Sequence, residues 1–272
     1  MSDLTPPLWT IVLSGKGGVG KTLFSLAYLD LCELNGIPVD IMQIDDQSRL
    51  ERAVKRKVVS LDMRTAKRAR HDPTVMTKTF EPLYNALEAM TACGVSLHLD
   101  VGATQQLPLF DYAALIGLDE DLKEFGVNGV AFVVVTADSQ SIEQAARSLD
   151  ALALLLPSLK AMLVINERDG TFDQLRIGSD ALRLYSDLLE PKMAAVPTVR
   201  MPLITAGSWQ HFEKKSLRLL DVVAMNTQEV INATGLSRPE AKLARGDVQA
   251  AFDILEEGLA VHLPFFRSGE AS

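Results

Sequence analysis

A doubly wound α/β fold with a mostly parallel sheet is what this 272-residue chain predicts. Three observations carry the prediction. Six short apolar runs alternate with longer helical patterns, the order that gives helices on both faces of a sheet. Most of those runs are apolar at every position, as in parallel strands covered on both sides. A glycine-rich loop joins the first apolar run directly to the first helical one, so any ligand it holds would sit at the carboxyl edge of the sheet.

The elements follow in order. Strands are expected at Thr10–Leu13, Val39–Ile44, Val95–Leu99, Val130–Val135, Ala161–Ile165 and Val196–Met201. Helices are expected between them at Thr22–Leu34, Pro82–Cys93, Ser141–Leu156 and Phe172–Leu189. After Pro202 the strand pattern stops, and Ser208–Met225, Thr227–Thr234 and Pro239–Leu263 read as helices. The last carries Val248, Ala251, Phe252, Leu255 and Leu259 at helical spacing. One domain over 1–272 is expected, with an α/β core at 8–205 and a helical part at 206–272; the tail from Arg267 is polar.

Composition narrows the class. The chain is 47% hydrophobic and 23% charged, an ordinary globular profile, with a net charge of −8. A chain of that sign is no general polycation, so contact with nucleic acid would have to be local. Cys32 and Cys93 stand in no metal-type spacing and read as small buried hydrophobes of a reducing compartment. Residues 1–9 lack a basic start, and no run is long enough to span a bilayer. A cytoplasmic protein without membrane contact is expected.

The loop itself is Ser14-Gly15-Lys16-Gly17-Gly18-Val19-Gly20-Lys21-Thr22, followed by Leu23. Gly15, Gly20, Lys21 and Thr22 satisfy the phosphate-loop pattern. Its glycines let backbone N–H groups converge on phosphate oxygens, and the next helix adds the positive end of its dipole. Lys21 would reach the β- and γ-phosphates, and the Thr22 hydroxyl would ligate Mg²⁺. Gly15, Gly17 and Gly20 also spell a dinucleotide fingerprint. The Lys-Thr pair that follows favours a triphosphate with Mg²⁺, since a pyrophosphate bridge needs neither group. Leu97-His98-Leu99-Asp100 ends an apolar run in a carboxylate, a Walker B pattern whose Asp100 would hold Mg²⁺ through water. His98 alternates with apolar neighbours and reads as a core or edge histidine.

The stretch Lys16-Gly17-Gly18-Val19-Gly20-Lys21-Thr22 resembles the deviant Walker A motif of the ParA/MinD family of P-loop ATPases. The likeness covers roughly residues 8–225, strongest at the loop. Within that family it looks nearest to ATPases of conjugative plasmids and other mobile elements. The resemblance implies that Lys16 acts on the nucleotide of a partner subunit, in an ATP-sandwich homodimer. It implies a water-positioning carboxylate at Asp45, also near the metal, in Gln43-Ile44-Asp45-Asp46-Gln47, although Gln43 and Asp46 replace the family's aspartate and proline. The alternative is that Asp45 and Asp46 simply start a helix as its caps. After Asp100 the family has prolines where this chain has Gly102 and Ala103. The resemblance also gives Asn166 the adenine edge and sets Met201-Pro202 along the base, though both could be turn formers.

One segment stands outside that resemblance. Between residues 49 and 70 lie Arg49, Arg52, Lys55, Arg56, Lys57, Arg64, Lys67, Arg68 and Arg70 against Glu51 and Asp62, a local net of +7 that leaves −15 for the remainder. Arg49, Arg52 and Arg56 are expected on one helix face, where they could lie along phosphates. Non-specific DNA, an acidic protein partner and bulk solvent all fit. The expected function is a slow, partner-stimulated ATPase switch using ATP and Mg²⁺, in DNA partition, transfer or cargo positioning. A MinD-type membrane ATPase, a metal-centre maturation ATPase and an ATP-holding scaffold remain as alternatives. The acidic last helix and the absence of paired cysteines speak against the first two.

Overall fold

A computed structural model describes residues 7–44, 49–63, 72–204 and 207–266. Its centre is a seven-stranded sheet in the order β3-β2-β4-β1-β5-β6-β7, parallel throughout. In chain order the first elements are β1 (Leu8–Leu13), α1 (Lys21–Leu34), β2 (Val39–Ile44), α2 (Arg49–Val54) and β3 (Val58–Ser60). Then come α3 (Pro73–Cys93), β4 (Ser96–Val101), α4 (Gln106–Ile116), α5 (Leu118–Glu124), β5 (Asn128–Val135), α6 (Ser139–Leu155) and β6 (Lys160–Asn166). The last third holds α7 (Asp180–Leu184), α8 (Glu190–Met193), β7 (Thr198–Met201), α9 (Ser208–Glu213), α10 (Leu219–Ala224), α11 (Thr227–Thr234) and α12 (Arg238–His262).

Each face of the sheet has its own apolar core. On one, Phe24 and Tyr28 of α1 pack on Phe132 of β5, together with Val248, Phe252 and Leu259 of α12. On the other, Phe80 of α3 stacks on Tyr112 of α4 beneath Ile11, Leu99 and Val133. The continuous apolar runs of the sequence are this two-sided burial. α1 is further tied to the C-terminal helices through Asp30, which is fully buried. Its carboxylate accepts from Arg218 Nε (2.5 Å) and from the Leu220 N–H (2.9 Å). Burial nevertheless pushes its pKa up to about 6.

Several expectations are corrected. β3 lies inside the basic segment, where no strand was expected, because only Val58 of its three residues is buried. α3 starts nine residues before Pro82 and runs through it. Asp72 caps it by accepting the Thr74 N–H at 2.9 Å, and Phe80, Leu83, Leu87 and Met90 bury one continuous face. That burial outweighs the roughly 3 kcal/mol an interior proline costs. The helix expected over 172–189 is broken: Gly178 has φ +79°, and Ser179 restarts α7 by accepting the Leu182 N–H. The helix expected over 208–225 divides into α9 and α10, with Ser216 at φ +53° in the turn. α4 and α5 were not anticipated. Cys93 is exposed at the end of α3, whereas Cys32 is buried as expected. His98 is fully buried, stacked on Tyr28, with Nδ1 3.0 Å from Thr10 Oγ1; burial lowers its pKa to about 3.

Candidate functional site

The site begins where β1, near the middle of the sheet, turns into α1. Gly18 (φ +77°) and Gly20 (φ +94°) take left-handed backbone that a side chain would oppose. A Cβ on Gly20 would also stand 2.3 Å from Asn166 Nδ2. Around Gly17 and Gly18 there is open space. α1 has no side-chain cap and no acid in its first turn, so its leading N–H groups and dipole are left for an anion. Lys21 is only 8% exposed, with Nζ 3.3 Å from Lys16 O and 3.5 Å from Ser14 O, folded under the loop that would cradle phosphates.

Register brings the next groups in. Asp100 on β4 pairs with Val12 on β1 and with Gln43 on β2. Thr22, one residue into α1, donates its hydroxyl to Asp100 Oδ2 at 3.4 Å. A hydroxyl and a carboxylate brought together beneath a phosphate loop are the hard oxygen donors Mg²⁺ takes, completed by phosphate and water. Among the described residues no cluster of three or more His, Cys, Asp or Glu forms a metal site without such a ligand. Gln43 is buried and gives its amide to Ser60 Oγ at 2.7 Å, so it serves the sheet edge. The Gly102 N–H is taken up by Ile44 O at 2.8 Å. Asp45, Asp46 and Gln47 lie outside the described residues.

Lys16 reaches a partner that sequence reasoning missed. Its Nζ is 2.5 Å from Asp138 Oδ1, with both side chains a little over a quarter exposed. Asp138 caps α6, accepting from the Ser141 N–H at 3.1 Å and from Thr136 Oγ1 at 2.6 Å. Partial burial would raise this carboxyl's pKa, but the bonds from Lys16, Thr136 and Ser141 outweigh it and hold the group below the usual carboxylate range. Asp138 follows the β5 strand end just as Asp100 marks that of β4, so the strand-end rule could have found it. Gln144, two turns along α6, packs on Gly15.

On the far side of the loop, β6 ends in Asn166, which is 3% exposed. Its Nδ2 donates to Val19 O at 2.8 Å and its Oδ1 accepts the Arg168 N–H at 3.1 Å. Arg168 Nη1 donates to Gly18 O at 2.5 Å. Asn166 at the end of β6 and Arg168 just beyond it thus clasp the loop by the carbonyls of Val19 and Gly18. Beside the clasp opens a cavity of about 320 Å³ bounded by Gly20, Leu23, Met201, Pro202 and Trp209. A broader cavity of about 460 Å³, flanked by Tyr84 and Tyr112, includes no residue of the glycine loop.

The basic segment is not the helix face it was expected to be. α2 ends at Val54, Lys55 turns left-handed at φ +52°, and the chain passes into β3. Arg56 therefore leaves the face of Arg52 and donates from Nη2 to Val39 O at 2.6 Å. Lys55 lies 3.5 Å from Asp221 of α10. Lys57 is exposed. The side chain of Arg49, and all of Arg64, Lys67, Arg68 and Arg70, lie outside the described residues.

No family model matches the chain, and no curated protein does. Solved structures do. A MinC:MinD cell division protein complex from Aquifex aeolicus matches at 14% identity over 90% of this chain and 96% of that one, TM-score 0.45. An McdA–ATP complex from Cyanothece matches at 12% over 92% and 97%, TM-score 0.47. A plasmid partition protein from Borrelia burgdorferi matches at 12% over 78% and 95%, TM-score 0.41. Among the described residues no helix is long and apolar enough to cross a membrane.

Proposed function

We propose that the chain is a dimerising ATPase switch of the ParA/MinD type, acting in the cytoplasm. The observation that carries this reading is the Thr22–Asp100 pair under the glycine loop, with Lys21 folded against the loop from inside. Lys21 and the N–H groups of the loop and of α1 bind the β- and γ-phosphates of ATP. Thr22 and Asp100 would hold Mg²⁺, which would supply neutralisation of the phosphate charge. Asp45, next along the chain from β2, orients the attacking water.

Lys16 serves two anionic partners in this reading. In the single chain it pairs with Asp138. In the dimer it leaves Asp138 and reaches the phosphates held by the other subunit. Dimerisation thus trades one charge-assisted contact for another, which keeps the switch reversible. The basic segment 49–70 is the part of the chain that would meet non-specific DNA or an acidic partner protein. The fixed Gln43 favours one alternative, a scaffold that holds ATP with little hydrolysis.

Two measurements on the parent protein test the reading: calorimetric ATP binding, and phosphate release with and without Mg²⁺. Binding, with release that stops on chelation, is expected. Tight binding without any release selects the scaffold. No binding removes the phosphate-loop assignment.

A further inference from the structure

The cavity beside the loop has an unexpected wall. Five of its residues come from the C-terminal helices: Trp209 and Gln210 on α9, Leu219 on α10, and Ala251 and Leu255 on α12. At about 320 Å³ it falls at the lower end of ligand cavities, roughly 300–1,000 Å³. Gly20 of the glycine loop is one of its lining residues, so a ligand held there would adjoin phosphates held by the loop. Leu23, Met201 and Leu255 make the lining predominantly apolar, which suits the faces of a planar ring.

The polar residue expected to read that ring lines the cavity and also holds the loop. Asn166 gives Nδ2 to Val19 O and takes the Arg168 N–H on Oδ1, which ties it to the loop. Trp209 is half-buried and borders the cavity, with its ring 6.4 Å from fully buried Phe212, which anchors it. We propose that Trp209 binds the nucleotide base by stacking, and that Asn166 positions the phosphate loop. This rests on the phosphate-loop reading above and adds the source of base affinity. Stacking uses the π-face that every base has, so purines should bind better than pyrimidines, with little choice between adenine and guanine. The helical part of the chain then contributes directly to the nucleotide site.

Inorganic tripolyphosphate, which has no base, separates the roles. Calorimetry with Mg²⁺ and ATP, GTP, CTP or tripolyphosphate is run on the parent, Trp209→Ala, Trp209→Phe and Asn166→Ala. Trp209→Ala should weaken ATP and GTP by about ten- to a hundredfold and leave tripolyphosphate unchanged, with Trp209→Phe in between. Asn166→Ala should weaken ATP and tripolyphosphate by the same factor. The other tryptophan, Trp9, is fully buried in β1, so emission of the parent should change with ATP and not with tripolyphosphate. That arm needs no variant to fold. Unchanged ATP affinity in Trp209→Ala, equal losses of ATP and tripolyphosphate there, or tryptophan emission blind to ATP would each overturn the assignment. A parent that binds neither ATP nor tripolyphosphate overturns the phosphate-loop reading itself, and the inference with it.

Discussion

Two regions of this molecule are rich in lysine and arginine, and they use them in opposite ways. In the glycine loop, Lys16 and Lys21 are gathered by backbone geometry: both lie against the same nine-residue turn, one paired with Asp138 and the other tucked under loop carbonyls. In the segment from Arg49 to Lys57, the cations are dispersed by it. The left-handed turn at Lys55 sends Arg56 to a carbonyl of β2, Lys55 toward Asp221 and Lys57 to solvent. Two charges around a nest of N–H groups make a site. A larger number on a short helix and the turn after it are spent partly on holding the fold. Local count of charge is a poor guide to function beside the shape of the backbone that carries it.

The sharpest break between the two regions comes from substitution in the loop. Lys21→Ala should lower ATP affinity at least about a hundredfold, since charge-assisted phosphate contacts worth about 1.5–3 kcal/mol each are lost. Its thermal unfolding should stay close to the parent's. Calorimetry beside a melting curve reads both; retained affinity would dissolve the contrast. Next in size is Asp45→Ala, which should bind ATP normally and turn it over about 10²-fold more slowly, by phosphate release. Normal turnover would move the water-positioning role to another carboxylate, Asp46 first.

The edge segment should respond in stability instead. Arg56→Ala removes a hydrogen bond to Val39 O and should cost about 1–2 kcal/mol by urea unfolding, with ATP affinity unaltered. Lys57→Ala should stay within about 0.5 kcal/mol of the parent. If Lys57→Ala is the costlier of the pair, the division drawn here between structural and solvent-facing cations is wrong. Binding of mixed-sequence duplex DNA, followed against salt concentration, adds a readout. Lys57→Ala should lower the salt slope by about one unit if this segment meets phosphates.

How much of this was legible beforehand follows the same division. The β1–loop–α1 unit could be read because its residues are contiguous, and the spacing Gly15, Gly20, Lys21, Thr22 is itself the geometry. Asp100 could be read because a strand's end is marked in the sequence. Asp138, Arg168 and Trp209 come from three separate segments and meet the loop only through the order of β5, β6 and the C-terminal helices. Asn166 was found, but not the direction of its amide, because that depends on the Val19 carbonyl 147 positions away. β3 escaped because an edge strand of three residues buries too little to leave an apolar pattern. α3 was cut short because Pro82 is read locally, whereas the buried face that carries the helix past it is tertiary.

The central claim is that Lys16 is a residue with two partners, Asp138 within the chain and phosphate across a dimer. Lys16→Ala puts it to a direct test, with light scattering in a non-hydrolysable ATP analogue and calorimetry on the same sample. Nucleotide binding should stay near the parent's, because Lys21 makes the contact within the subunit. Dimer affinity should fall by roughly two to four powers of ten, as two symmetric charge-assisted contacts of about 1.5–3 kcal/mol are lost. Dimerisation equal to the parent's, or collapse of nucleotide binding itself, would contradict the claim: the first would leave Lys16 as a cap on Asp138, the second would place it in its own subunit's site.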